Sequence, residues 1–256
     1  MEEERDFDIS LSVIIPSYNA ADVISIVLEN IVKVLERIDL RYELLVVNDG
    51  STDSTLIVLQ ELEKQNSNLK IISYDKNRGK GYAVKTGIAQ SRGKWVMFID
   101  SDLDISPKVI PDYIHELGDY DIVIGSKLHS NSKIYSPFSR QFLSSAFGIV
   151  VRLFTDLHIR DTQVGLKMGN GDLLRKIFSM MTIDRFSFDV EFLLIASLLN
   201  KRIKEMPVMM NIKHGFKFLY SSQMLYDILV ISYRYKIKHH YQKKIKLLNL
   251  VPKEYH

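Results

Sequence analysis

The 256-residue chain contains no cysteine, so disulfides, thiolate zinc sites and a cysteine nucleophile are excluded. It has no large excess of either charge: 34 Lys and Arg face 31 Asp and Glu, a formal net charge of +3. That near-balance excludes a uniformly basic nucleic-acid coat and a disordered acidic tail. Long apolar runs are missing too. The longest uncharged stretch, residues 9–21, falls short of the roughly 18 residues that a membrane span needs. The opening Met1-Glu2-Glu3-Glu4-Arg5-Asp6 is the reverse of a signal peptide's basic segment. The expectation is a cytoplasmic protein without a spanning helix. A hydrophobic content of 46% with 25% charged residues is that of a compact soluble domain.

The small net charge hides a split. Residues 201–256 hold 12 Lys and Arg against 3 acids, whereas residues 1–200 hold 22 against 28. The C-terminal part is therefore expected to meet something anionic.

Short apolar runs at 11–15, 42–47, 69–74, 95–99 and 122–124 read as buried strands. Helical periodicity fills 23–38, 53–65 and 81–91, and Pro107 stands where another helix can start. Strands alternating with helices predict a mostly parallel α/β sheet covered on both faces. Beyond Gly125 the pattern is less regular, with helices expected over 138–154, 187–199 and 219–238, and an extended stretch over 202–212. In the last helix Met224, Leu225, Ile228, Leu229 and Ser232 are expected on one stripe. Without an internal repeat or low-complexity linker, residues 1–215 read as one domain and 216–256 as a basic amphipathic extension.

In an open parallel sheet, ligands bind beyond the carboxyl ends of the strands. Three polar clusters are expected there: Pro16-Ser17-Tyr18-Asn19, Asn48-Asp49-Gly50-Ser51 and Asp100-Ser101-Asp102. Asp and Asn also form turns and cap helices, so no single one of these is diagnostic. Asp100 and Asp102, two residues apart at a strand end, can direct oxygens at one hard divalent cation, Mg²⁺ or Mn²⁺. Ile105 fills the sixth position of the run, where a calcium loop requires glycine, which excludes an EF-hand. Asn77-Arg78-Gly79-Lys80-Gly81 opens a helix, and amides with a nearby ammonium favour phosphate. Val84 stands where a dinucleotide fingerprint has its third glycine, and no Gly-x-Ser-x-Gly elbow is present.

Together these segments resemble family 2 glycosyltransferases of the GT-A fold. The resemblance rests on residues 13–19, 46–53, 77–87 and 100–102, in that order and spacing. The second half is similar to the dolichyl-phosphate β-glucosyltransferases through Gly125-Ser126-Lys127, residues 160–167 and residues 185–191. Three features depart from the family: Ala20 replaces a common acidic residue, Lys127 a common arginine, and the chain lacks the membrane-spanning helix usual at the start of the eukaryotic branch.

The resemblance implies a metal-dependent, inverting transfer of a hexose, glucose from UDP-glucose, onto dolichyl or polyprenyl phosphate. It assigns Pro16, Tyr18, Asn19 and Asp49 to the nucleotide, and Lys80 to the phosphates. Asp100, Ser101 and Asp102 are expected to meet the metal and donor, and Lys127, Arg140 and Arg185 the acceptor phosphate. Arg185 and Asp189 are read as catalytic, with Asp189 and Asp161 orienting the cations or the metal, although helix-cap or salt-bridge roles suit both acids. The tail, with Tyr220, Tyr226, Tyr233, Tyr235, Tyr241 and five lysines from 236 to 246, suits an anionic membrane surface on the cytoplasmic side. Packing on the catalytic domain or on a second copy is its alternative. Nucleic acid is not expected as a partner, for want of a recognition motif. The other functional classes are transfer to a saccharide hydroxyl, sugar-1-phosphate nucleotidyl transfer and non-catalytic nucleotide-sugar binding.

Overall fold

The structure, a computed structural model, describes residues 9–135, 138–211 and 219–248. Its frame is a seven-stranded sheet. Strands β3 (Leu69–Tyr74) and β4 (Trp95–Ile99) match the apolar runs, and β1 (Leu11–Ser17), β2 (Tyr42–Asp49) and β5 (Ile122–Ser126) each extend two residues further. With β7 (Leu166–Asn170) and β8 (Ile203–Pro207), the spatial order is β3-β2-β1-β4-β7-β5-β8. Strand β1 is buried throughout, as befits a central strand covered on both faces.

Alternate strand residues feed two cores. On one face Val13, Ile15, Val46 and Met97 meet α1 (Ile24–Leu35), α2 (Thr55–Gln65) and α4 (Ile110–His115). Helix α1 buries Ile24, Val27, Leu28, Ile31 and Leu35, the i, i+3, i+4 stripe of its sequence. On the other face Ile14, Val47 and Phe98 meet α3 (Lys80–Gln90), α6 (Gly171–Met180) and α7 (Phe188–Leu198). Phe98, Phe178, Phe188 and Phe192 form an aromatic knot there, with ring centroids 5.3–6.3 Å apart.

The unexpected strand is β7, which runs antiparallel to both β4 and β5. Its direction has a consequence for the site. Strand β5 ends at the ligand edge of the sheet and β7 begins there, so the chain between them starts and finishes at that edge. This excursion carries β6 (Lys133–Tyr135) and α5 (Phe138–Thr155). Helix α6 starts at the opposite edge, where Gly171 N–H donates to Lys94 O. It delivers residues 181–187 back to the ligand edge, where Tyr82 N–H donates to Asp184 O.

The extended stretch expected over 202–212 divides at buried Val208. Strand β8 joins the main sheet, whereas β9 (Met209–Asn211) pairs with β6 in a separate ribbon. The helix expected over 219–238 divides into α8 (Leu219–Ser232) and a π-turn over Tyr233–Ile237, and a further helix, α9 (His240–Leu247), follows it. The expected stripe on α8 splits as well: Met224 and Ile228 are buried, but Leu225 and Leu229 face solvent. The boundary expected at 215/216 lies outside the described residues. Beyond it Ile228, Ile231, Tyr241 and Ile245 join the same core as α3 and α7.

Candidate functional site

The three polar clusters do converge at the carboxyl edge of β1, β2 and β4. Ser101 Oγ–H donates to Pro16 O at 2.8 Å, tying the end of β4 to the end of β1. Asn19 takes a positive φ of 49° and receives Thr52 N–H at 2.8 Å on Oδ1, while its own N–H donates to Ser51 Oγ at 3.0 Å. The Pro16–Asn19 turn and the segment after β2 therefore hold each other. Tyr18 is exposed beside them.

Asp49 organises the loop that leads into α3. Its Oδ1 accepts from Tyr74 Oη–H and Arg78 N–H, each at 2.8 Å. Its Oδ2 accepts from Asn77 Nδ2–H and Gly79 N–H, each at 2.9 Å. A carboxylate only 3% exposed is thus fully engaged by protein donors. Gly79, at φ 102°, makes the turn that starts the helix, and a side chain there would strike Asp184 O at 2.7 Å.

Lys80, the first residue of α3, places its Nζ 2.6 Å from Asp100 Oδ1. Burial works to lower the ammonium, but Asp100, then Asp189, outweigh it and hold its pKa above the ordinary lysine value. Gly165, just before β7, lets Asp100 settle against the sheet: a Cβ at that position would overlap the carboxylate at 1.9 Å. Asp102 stands beside it, accessible to solvent, and its Oδ1 accepts from Asp104 N–H at 3.0 Å. Surrounding protein bulk, then the like charge of Asp100, push the Asp102 carboxyl up to about 6.

Two acids forced together at a strand end, one already facing a cation, form a site that gains by taking up further positive charge. Oxygen donors of this kind fit Mg²⁺ or Mn²⁺ held jointly with substrate phosphates. Among the described residues no cluster of three or more His, Cys, Asp or Glu offers a complete protein cage.

Beneath this site lies a second ion pair. Lys167 Nζ–H donates to Asp189 Oδ1 at 2.6 Å and to Val164 O at 2.7 Å, and the two side chains are 0% and 3% exposed. Burial pushes Lys167 below its ordinary value and Asp189 above its own, each moderated by the other. Asp189 is thus enclosed under the cleft, engaged by Lys167 rather than by Arg185. A lysine inside the apolar strand 166–168 was the signal available in the sequence, since a charge so placed needs a buried counter-ion.

Lys127, at the end of β5, pairs with Asp161: its N–H donates to Oδ2 at 2.8 Å and its Nζ–H to Oδ1 at 3.1 Å. This ion pair suits either role expected of Asp161, orienting Lys127 or a structural salt bridge. Arg185 is exposed on the loop before α7, its Cγ 3.0 Å from where a Gly79 Cβ would stand. Among the described residues none accepts a hydrogen bond from its guanidinium. The side chain of Arg140, third in that expected set, lies outside the described residues, as does that of Tyr220.

The glycosyl transferase family 2 profile matches residues 12–189, which span every element that builds this cleft. The chain is 37% identical over 254 residues to a dolichyl-phosphate beta-glucosyltransferase of Dictyostelium discoideum, covering 92% of this chain and 78% of that protein. It is 32% identical to proteins of the same name from Saccharomyces cerevisiae, covering 91% of this chain and 77% of that one, and from Homo sapiens, covering 88% and 75%. In fold it is similar to glucosyl-3-phosphoglycerate synthase from Mycobacterium tuberculosis, solved with Mn²⁺, UDP-glucose and phosphoglyceric acid. That match has a TM-score of 0.67 at 18% identity and covers 88% of this chain and 79% of the other. With the family's motifs gathered at one sheet edge and the profile spanning well over half its length, the chain belongs to glycosyl transferase family 2.

Proposed function

We propose that this protein is a metal-dependent inverting glucosyltransferase that moves glucose from UDP-glucose to dolichyl or another polyprenyl phosphate at a membrane surface. The support is the shared name of the relatives, which match about nine-tenths of the chain. The observation that carries the acceptor class is that shared name, and the buried carboxylates of the cleft, Asp100 and Asp102 being given to the metal, agree with it. Asp49, Asp161 and Asp189 are each engaged by hydroxyl, amide or ammonium donors. An acceptor that arrives as a phosphate anion needs no general base, whereas a sugar hydroxyl does.

In this reading Pro16, Tyr18 and Asn19 line the nucleoside side, with Asp49 shaping the loop that closes on it. Asp100 and Asp102 hold Mg²⁺ or Mn²⁺, which when bound neutralises charge on the departing diphosphate. Lys80 sits where it adds its ammonium to the same group. Lys127 and Arg185 face the acceptor phosphate, with Arg185 free to make a bidentate contact. Asp189 is a positioning residue: it neutralises Lys167 and adds negative potential beneath Lys80.

Among the described residues no helix is long and apolar enough to cross a membrane. The basic C-terminal segment supports peripheral attachment to an anionic membrane, on the cytoplasmic face. The test is transfer from radiolabelled UDP-glucose with Mn²⁺ or Mg²⁺ to short-chain polyprenyl phosphate, against free saccharides as acceptors. Label moving to the lipid phosphate bears the reading out. Label moving only to saccharide hydroxyls overturns the acceptor class.

A further inference from the structure

The C-terminal segment lines a concave site apart from the cleft described above. A cavity of about 500 Å³ is lined by Val230, Tyr233, Arg234, Lys238, His240 and Lys243. Three of these six side chains are cationic, a fourth is an imidazole, and none is acidic. None belongs to the cleft described above.

The backbone builds this concavity. Over Tyr233–Ile237 the helix widens into a π-turn, closed by Lys238 N–H donating to Tyr233 O at 3.0 Å. Such insertions into a helix concentrate at functional sites. His239 then takes a left-handed φ of 49°, and α9 starts at His240, so the chain turns between the two helical segments that line the cavity.

The cations gathered there make no ion pair with an acid among the described residues. Arg234 Nη1–H donates to the neutral Thr182 Oγ1, and Lys244 Nζ–H donates to Met180 O. Lys238 lies 5.8 Å from the centroid of the Tyr233 ring, an aromatic face rather than a carboxylate. Glu191 acts on His240 through its charge, while its oxygens accept from neutral donors, Thr182 N–H and Oγ1–H, Ile183 N–H and Tyr241 Oη–H, rather than from these cations. His240 Nε2 is buried with no hydrogen-bond partner among the described residues. Burial, then Lys244 and Arg234, hold this imidazole below its ordinary value, against the opposing pull of Glu191.

We propose that this cavity is an anion site for a phosphate group, gripped by Arg234, Lys238 and Lys243 with His240 at its base. Phosphate fits because its several acceptor oxygens can engage diverging cationic donors at once. A phosphate monoester on a lipid and a small soluble phosphate offer the same chemistry. The exposed Leu229, Tyr233 and Ile237 on the same stretch of chain supply apolar contacts that only a lipid would use.

The test uses the full chain with EDTA present, so that donor-site metal binding plays no part and the result is independent of transferase activity. Inorganic phosphate is titrated while the His240 ring signals, assigned by their loss in His240→Gln, are followed by NMR. A saturable His240 shift is expected, weakened about tenfold or more in Lys238→Gln/Lys243→Gln, whose exposed side chains make no ion pair with a described residue. The control Lys33→Gln/Lys64→Gln, with the same change in net charge on α1 and α2, should leave it unchanged. In a second arm the protein is sedimented with phosphatidylcholine vesicles with and without phosphatidic acid. Retention that needs phosphatidic acid and is lost in the Lys238/Lys243 variant identifies a lipid headgroup as the source. Phosphate binding without vesicle retention identifies a soluble phosphate. No saturable shift at His240, or equal weakening in both variant pairs, overturns the proposal.

Discussion

Lys167 shows how a single residue can make a strand part of a site. It sits in β7 between β4 and β5, fully buried, and its charge is tolerated because Asp189 and Val164 O receive it. Removing one partner of such a pair leaves an uncompensated buried charge, which costs about 3–5 kcal/mol. Lys167→Met should lose stability on that scale in urea denaturation, with an unchanged m-value; a loss under 1 kcal/mol would mean that Asp189 is not charged there.

Asp102 is the converse case, an acid accessible to solvent and crowded by Asp100. Asp102→Asn keeps the shape and removes a charged ligand, so transfer should fall by orders of magnitude while the melting temperature holds. Near-normal turnover at saturating Mn²⁺ would detach this carboxylate from the metal.

Glu43 gives stability a pH dependence far from the cleft. Burial works to raise its pKa, but hydrogen bonds from Ser12 Oγ–H, Arg92 N–H and the Arg92 guanidinium outweigh it, and the value lies below the ordinary 4.5. A lowered folded-state pKa contributes stability above the unfolded value, which is lost as pH falls through the folded one. Acid unfolding below about pH 4.5 should therefore be shallower in Glu43→Gln than in the parent, compared at matched ionic strength.

At the scale of elements, α9 is short and rich in lysine, and its sequence suits a membrane surface, with packing on the catalytic domain as the alternative. The structure buries Tyr241 and Ile245 against the α7 face of the core. Tyr241 Oη–H reaches Glu191 at 2.8 Å, and Glu191 in turn receives the amides of Thr182 and Ile183. The C-terminal helix thereby braces the loop that presents Arg185. Tyr241→Phe removes one bond to a buried carboxylate and should cost about 1–3 kcal/mol. It should also raise the KM for lipid phosphate more than that for UDP-glucose. A stability loss with both KM values unchanged would make the helix a support for the core alone.

Strand β7 is the other element the sequence did not announce. Leu166-Lys167-Met168-Gly169-Asn170 carries a lysine and a glycine, so it lacks the apolar run that marked β1 to β5. Its partners on both sides decide its state, through pairings such as Phe98 with Lys167 and Val123 with Met168. The division at Val208 has a similar origin: periodicity reports an extended chain, and only the neighbours determine which sheet each half joins.

Across the whole molecule, the proposed donor and acceptor groups come from different parts of the chain. In the proposed reading the nucleotide side is built by residues 16–104, and the acceptor cations Lys127 and Arg185 follow later in the chain. Arg185→Gln should therefore weaken use of polyprenyl phosphate about ten- to a hundredfold while UDP affinity, read by calorimetry, stays within twofold. A matching loss of UDP affinity would place Arg185 on the donor instead.

The sequence by itself determined the parallel half of the sheet, the three polar clusters at its carboxyl edge, the Asp100/Asp102 pair and the family. These follow from local signals: apolar runs of strand length, turn residues and short motifs need no distant partner to be read. Tertiary structure alone decided that Asp49 is engaged by the Asn77–Gly79 loop, that Asp189 lies under the cleft with Lys167, and that α9 packs into the core. The physical reason is common to all three. A charge or an apolar stripe states what must be satisfied, but its partner lies 28 to 50 residues away for Asn77 with Asp49 and Tyr241 with Glu191, and only the folded chain brings the two together.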